Sequence, residues 1–369
     1  MNDRLRAAVV LPDLTAVPRL FRRNGEDDYR ARIEAARAQF LAVRAFPLRM
    51  RGTLVPPERE VELVSAGLGP DLTLVALWAG RDDLAAARAI DELADGTAVA
   101  RGRAPWAYRA LATWHGPSPR PPMVIDDLDL AFPIVQPLPD GGLLAVASRC
   151  RVRDDSHPER NASVYGPHGF LERSGTLGDG IEDVQVSPSG RILVSYFDEG
   201  VSGANGWSPY TIPPLGQAGL VEFSAMLTPI WRYAPPRGVG PIGDCYAMNV
   251  VGEDVWATYF SDFPVVRVDE RLGVTVWENP VRGPSGLLVR GERFGLVGGH
   301  EPYEDRLAVA VLDGARLRVE AELRLTMPDG GELPQSVPAL CRNDRLVVLV
   351  GTEVLGVDLA ELGIPADTA

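Results

Sequence analysis

The stretch Asp183-Val-Gln-Val-Ser-Pro-Ser-Gly-Arg-Ile-Leu-Val-Ser-Tyr-Phe-Asp-Glu199 decides the fold. It reads as a strand, a tight Ser187-Pro-Ser-Gly190 turn, and a second strand of alternating apolar residues. Glu253–Asp262 repeats the second strand almost position for position, Tyr259-Phe260 matching Tyr196-Phe197. Working outward, weaker copies stand at Leu138–Ser148, Val289–Gly299, Cys341–Gly351 and Ala66–Trp78. That makes six hairpins of one design, each centred on Gly, Asp or Asn.

A second hairpin follows most of them: Ala162–Gly175, Leu220–Tyr233, Val265–Trp277 and Leu307–Leu325. Two hairpins per unit make a four-stranded antiparallel meander. Units recurring at roughly 40–60 residues, once loops are allowed, are those of a radial repeat. The strand–turn–strand units resemble those of the general β-propeller superfamily over Phe46 to Leu359. No Trp-Asp dipeptide recurs with a Gly-His partner, and the repeated Kelch glycine-pair pattern is missing, so the resemblance implies architecture and not activity. The expected fold is all-β: a six-bladed propeller of four-stranded blades with one or two accessory helices. An all-β sandwich or solenoid is the alternative.

The last unit, Val337–Leu359, stops after three strands. Phe46-Pro-Leu-Arg-Met-Arg-Gly-Thr-Leu54 resembles Phe170–Leu177, an outer strand in its own unit, so residues 46–55 are expected to complete the final blade and close the ring. The organisation is then an N-terminal helical segment (1–45) packed on a propeller (46–369). Apolar spacing predicts a helix over Asp27–Val43, and another over Asp82–Ala94.

Composition excludes several chemistries. Fifty acidic residues oppose 37 basic ones, for a formal charge of −13, which argues against a nucleic-acid partner. All the basic residues are Arg, so Walker-type phosphate lysines, Schiff-base nucleophiles and kinase Lys–Glu pairs are out. Cys150, Cys245 and Cys341 form neither a disulfide framework nor a CxxC zinc site. Arg4 and Arg6 precede only a short apolar run, Ala7–Leu11, and no stretch approaches a membrane span; a cytoplasmic protein without membrane contact is expected.

In a propeller, ligands bind where loops crowd one end of the central channel. Repeat alignment sends two sets of positions there. One is the start of each inner strand: Glu182, Asp183, Asp244, Tyr246, Ser285 and Gln335. The other follows each second strand: Asp198, Glu199, Asp262, His300 and Glu301, with Arg149 and Cys150.

Glu182, Asp183, Asp244 and Asp262 would repel one another unless a cation sat among them, so they are candidate ligands for Ca²⁺ or another hard divalent ion; the alternative is solvated strand-end carboxylates. His300 and Glu301, in a Gly-rich loop, are candidates for proton transfer, against a plain surface loop. Asp198, Glu199, Tyr246 and Ser285 are candidate ligand contacts. Trp207 and Tyr210, in the long loop Glu199–Leu220, offer an aromatic wall or simply pack that loop. Cys245 reads as a buried structural thiol, and no Ser has a nucleophile elbow.

The reading that asks least is a binding module presenting an acidic channel face to a small molecule or protein. The rival is a metal-dependent hydrolase or lactonase. It resembles the calcium-dependent six-bladed lactonases in architecture only.

Overall fold

The computed structural model describes residues 26–92, 97–116, 120–153 and 157–362; the Ala7–Leu11 run and the rest of 1–25 lie outside them. The hairpins become six antiparallel blades, five of them with strands running outward in chain order. Blade 1 is Val61–Leu68, Leu74–Gly80, Arg103–His115 and Met123–Leu130; blade 2 is Pro133–Pro137, Leu143–Ala147, Ala162–Tyr165 and Leu171–Gly175. Blade 3 is Ile181–Val186, Ile192–Tyr196, Leu220–Phe223 and Pro229–Arg232; blade 4 is Asp244–Val251, Asp254–Phe260, Val265–Val268 and Val274–Trp277. Blade 5 is Gly286–Arg290, Arg293–Val297, Arg306–Asp313 and Arg316–Thr326; blade 6 is Ala339–Arg342, Arg345–Val350 and Glu353–Asp358, completed by Arg49–Thr53.

Burial shows why the second strands read as apolar runs. Leu143, Ala145 and Ala147 pack toward blade 1, while Leu144 and Val146 pack toward blade 3. Alternation there is between two neighbouring blades, not between core and water, so both sets are apolar. Six such clusters exist, one in each seam between adjacent blades, and the sixth joins Val347 and Leu349 of blade 6 to Leu74 and Trp78 of blade 1. The ring is therefore closed.

The closing segment divides its work between two blades. Arg49–Thr53 pairs antiparallel with Glu353–Asp358, as expected for an outer strand. Ala45–Pro47 instead runs parallel to Arg316–Thr326 on the edge of blade 5. Between them the chain turns and Leu48 drops into the blade 5–6 seam, 1% exposed. The single strand expected over 46–55 is thus two short strands, because one buried leucine must reach the core that a straight edge strand would leave behind.

The first helix spans Glu26–Phe40 and sits on blade 5, with Phe40 edge-on to Tyr303 at 5.2 Å and Arg37 donating to Asp305 Oδ1 at 2.5 Å. The second is far shorter than Asp82–Ala94. A single 3₁₀ turn leads into Leu84–Ala87, and the chain then forms a small hairpin, Ile90–Glu92 with Ala98–Ala100. Arg88 leaves helical geometry and donates to the Leu63 carbonyl at 2.9 Å, which ends the helix. Among the described residues no helix is long and apolar enough to cross a membrane.

Candidate functional site

The inner strands begin at one end of the channel, and there they surround a cavity of about 550 Å³. Blades 1, 2 and 6 give it most of its apolar lining, including Leu63, Phe132, Ile134, Val337, Leu340 and Val350, with Glu62, Arg88 and Gln136 among them. Blades 3 to 5 give it Glu182, Asp183, Gln185, Tyr246, Met248 and Ser285, with Gln335 beside them from the loop entering blade 6.

Three inner strands reach this cavity through the same device. The register skips a residue between Leu63 and Ser65, between Ile181 and Asp183, and between Cys245 and Ala247. The extra residues of these β-bulges are Val64, Glu182 and Tyr246, and each lines the cavity. A bulge re-aims one side chain out of strict alternation. Here it lets the consecutive carboxylates Glu182 and Asp183 share one compartment.

Asp183 is part-exposed to the cavity but otherwise enclosed by protein. Val184 N–H donates to its Oδ1 and Gln185 Nε2 to its Oδ2, both at 2.8 Å. Desolvation dominates these bonds and the more distant charge of Arg342, and raises its pKa from 3.8 to about 6.

Beneath it the channel is shut. Arg342, 1% exposed, reaches across the axis from blade 6 to blade 3, donating to Gln185 Oε1 at 2.9 Å and to the Val186 carbonyl at 2.5 Å. Gln185 also donates to the Met248 carbonyl and accepts from Val250 N–H. Gln136 accepts from Val186 N–H one blade earlier, and Asn249 bonds Leu287 and Asn343 one blade later. These amides occupy matching inner-strand positions, each tying its blade to the next. Desolvation lowers the Arg342 pKa to about 10, so it stays charged at neutral pH. Sequence reasoning missed Gln136, Gln185 and Arg342; the signal was a polar residue near the inner end of successive apolar strands.

The first set of expected positions converges, with one exception. Glu182, Asp183, Tyr246, Ser285 and Gln335 line the cavity, and Asp244 does not. Asp244 is buried opposite Phe260, two positions before the bulge that turns Tyr246 inward.

The second set stays outside the cavity lining. Asp198 is exposed, and Glu199 pairs with Arg149 at 2.5 Å. Asp262 and Glu301 are exposed in their loops. His300 is exposed and stands one ring behind the cavity, edge-on to Tyr246 at 5.5 Å and to Phe263 at 5.9 Å. His300 and Glu301 therefore do not form the expected catalytic pair at the ligand-facing wall.

Nor is the expected metal set assembled: Glu182 and Asp183 line the cavity, while Asp244 is buried outside the lining and Asp262 is exposed. Among the described residues no group of three or more His, Cys, Asp or Glu side chains has an arrangement that could hold a metal ion.

Of the two readings of the long loop, Trp207 fits the packed one: it is buried and donates to the Cys150 carbonyl at 2.7 Å, anchoring its loop, whereas Tyr210 is 95% exposed and neither residue lines the cavity. The cysteines are free, and burial pushes all three thiols up, Cys341 to about 12, which leaves them protonated and unreactive.

Comparisons with known proteins give a broad likeness. A family model described as the YxzG family matches residues 234–287, from the end of blade 3 through blade 4 into the inner strand of blade 5. No curated protein matches. Among solved structures, a gluconolactonase from Xanthomonas campestris is 12% identical, with 86% of this chain and 96% of that one covered at a TM-score of 0.41. A PQQ-bound aldose sugar dehydrogenase from Streptomyces coelicolor is 10% identical, with 86% and 99% covered and a TM-score of 0.41. The calcium-binding protein regucalcin from Agrobacterium tumefaciens is 12% identical, with 85% and 95% covered and a TM-score of 0.41.

Proposed function

We propose that this propeller is a small-molecule-binding protein whose ligand lodges in the mouth of the central channel. The observation that carries the reading is the cavity itself. Its volume of about 550 Å³ falls within the roughly 300–1,000 Å³ usual for small-molecule sites, and it joins an apolar wall to a few convergent polar groups. A cross-axis strut closes it below, so a ligand enters and leaves by one face. A cavity this deep suits a small molecule better than the flat contact a folded partner makes.

The neutral solvatochromic dye Nile red tests this. The expected result is a saturable rise in fluorescence with one site per chain, abolished when Ala66, a cavity-lining residue, is replaced by Trp. Absence of saturable binding, or binding indifferent to Ala66→Trp in a folded variant, would overturn the reading.

A further inference from the structure

We propose that the ligand is an organic cation, an apolar skeleton bearing a protonated amine, with the amine against Asp183 and Glu182 and the skeleton against blades 1, 2 and 6. This rests on the cavity reading above and adds the ligand's chemistry.

The cavity is unevenly lined. Most of its apolar side chains, among them Leu63, Phe132, Ile134, Val337 and Leu340, come from blades 1, 2 and 6, where Glu62 and Arg88 also reach the lining, and the adjacent carboxylates Glu182 and Asp183 stand together on blade 3. Asp183 takes only two hydrogen bonds, from Val184 and Gln185, and no Arg or His nitrogen pairs with it within 4.0 Å among the described residues. A carboxylate has room for about four donors, so an ammonium can bind without displacing either. Arg342 acts on Asp183 only as a more distant charge and makes no hydrogen bond to it, since both its terminal nitrogens are held by Gln185 and Val186. At the far wall Arg88 is 3.7 Å from Glu62 and donates to the Leu63 carbonyl, so its charge is already balanced.

Among the described residues, the titratable groups that act on Asp183 are Arg342 and Cys341 on blade 6 and Cys245 on blade 4, and Glu182 precedes it on its own strand and lines the same cavity; burial keeps both thiols neutral. Tyr246 adds an aromatic ring to the same wall, which favours a cation further.

Other ligand classes fit less well. An anion would face two carboxylates. A hard metal ion needs about six to eight oxygen ligands, which this half-apolar cavity does not supply. A neutral polyol would leave the apolar wall against water.

Three probes of one skeleton test the inference by displacement of Nile red at about pH 8: 4-phenylbutylamine, 4-phenylbutan-1-ol and 4-phenylbutanoate. The amine is expected to bind about tenfold or more tighter than the alcohol, the gain of a charge-assisted hydrogen bond, and the carboxylate weakest. Asp183→Asn should bring amine and alcohol to within about twofold while leaving alcohol binding in place, and Glu182→Gln should fall between.

Should Asp183→Asn fail to fold, the wild-type protein decides. Its amine preference must shrink between about pH 8 and pH 5, as Asp183 takes up a proton. If alcohol and amine displace the dye equally, the cation inference is overturned and the cavity reading stands. If neither the dye nor any probe binds, both fall.

Discussion

Asp183 is a carboxylate the fold pays to keep. Its pKa is raised from 3.8 to about 6 by desolvation, so between those values the folded chain holds more protons than the unfolded one, and stability falls as pH rises. Above about pH 6 the full cost, about 1–3 kcal/mol, is present. Asp183→Asn removes it, although the amide can replace only one of the two acceptor oxygens. The melting temperature of the variant relative to wild type should therefore rise between about pH 4 and pH 8, and thermal melts across that range check it. A difference that stays flat would mean the charge is not desolvated.

Arg342 makes the opposite case. Arg342→Ala leaves the Val186 carbonyl without its guanidinium partner and opens a void on the axis, for an expected loss of about 3–4 kcal/mol in denaturant unfolding; Arg342→Met, which refills the space, should recover part of it. Asp183 was legible in the sequence because repeat alignment marks where inner strands start. Arg342 was not: its partner Gln185 lies 157 positions away, on the opposite blade.

At the scale of elements, the site depends on inner strands that bulge and crowd. The bulges at Val64, Glu182 and Tyr246 turn strand starts into cavity walls. A single sequence carries no partner register, so these were invisible, while the hairpins around them stood out by their Gly, Asp and Asn turns. Trp207 was left between two readings, an aromatic wall and a packed loop, because its long loop carries no repeat to align; the indole bonded to the Cys150 carbonyl agrees with the second. Crowding near the axis gives a sharp expectation at Gly67, where a Cβ would lie 1.7 Å from the Val135 carbonyl oxygen of blade 2. Gly67→Ala must push blades 1 and 2 apart, at a cost of about 3 kcal/mol, with the urea midpoint falling accordingly and dye affinity falling with it as the wall shifts. An unchanged midpoint would show that the two strands are not packed as described.

For the whole molecule, the ring is held by six apolar seams and sealed by a segment from the other end of the chain. Closure removes the free edges that an open array would expose. The resemblance of Phe46–Leu54 to Phe170–Leu177 made that exchange readable, but not the step at Leu48 from blade 5 to blade 6, because nothing local distinguishes a leucine on an edge strand from one in a seam. Leu48→Asp places a charge in that seam and should cost about 4 kcal/mol or more, with early melting and association of opened rings in sedimentation. The cavity needs the closed ring, since its walls come from every blade and meet only around the axis. The most direct measurement is a crystal structure grown with saturating 4-phenylbutylamine. Ligand density in the channel mouth, its nitrogen within hydrogen-bonding distance of Asp183 and its ring against Leu63, Phe132 and Ile134, is the predicted result; a cavity holding only solvent at saturation, or the amine bound at another face, would contradict it.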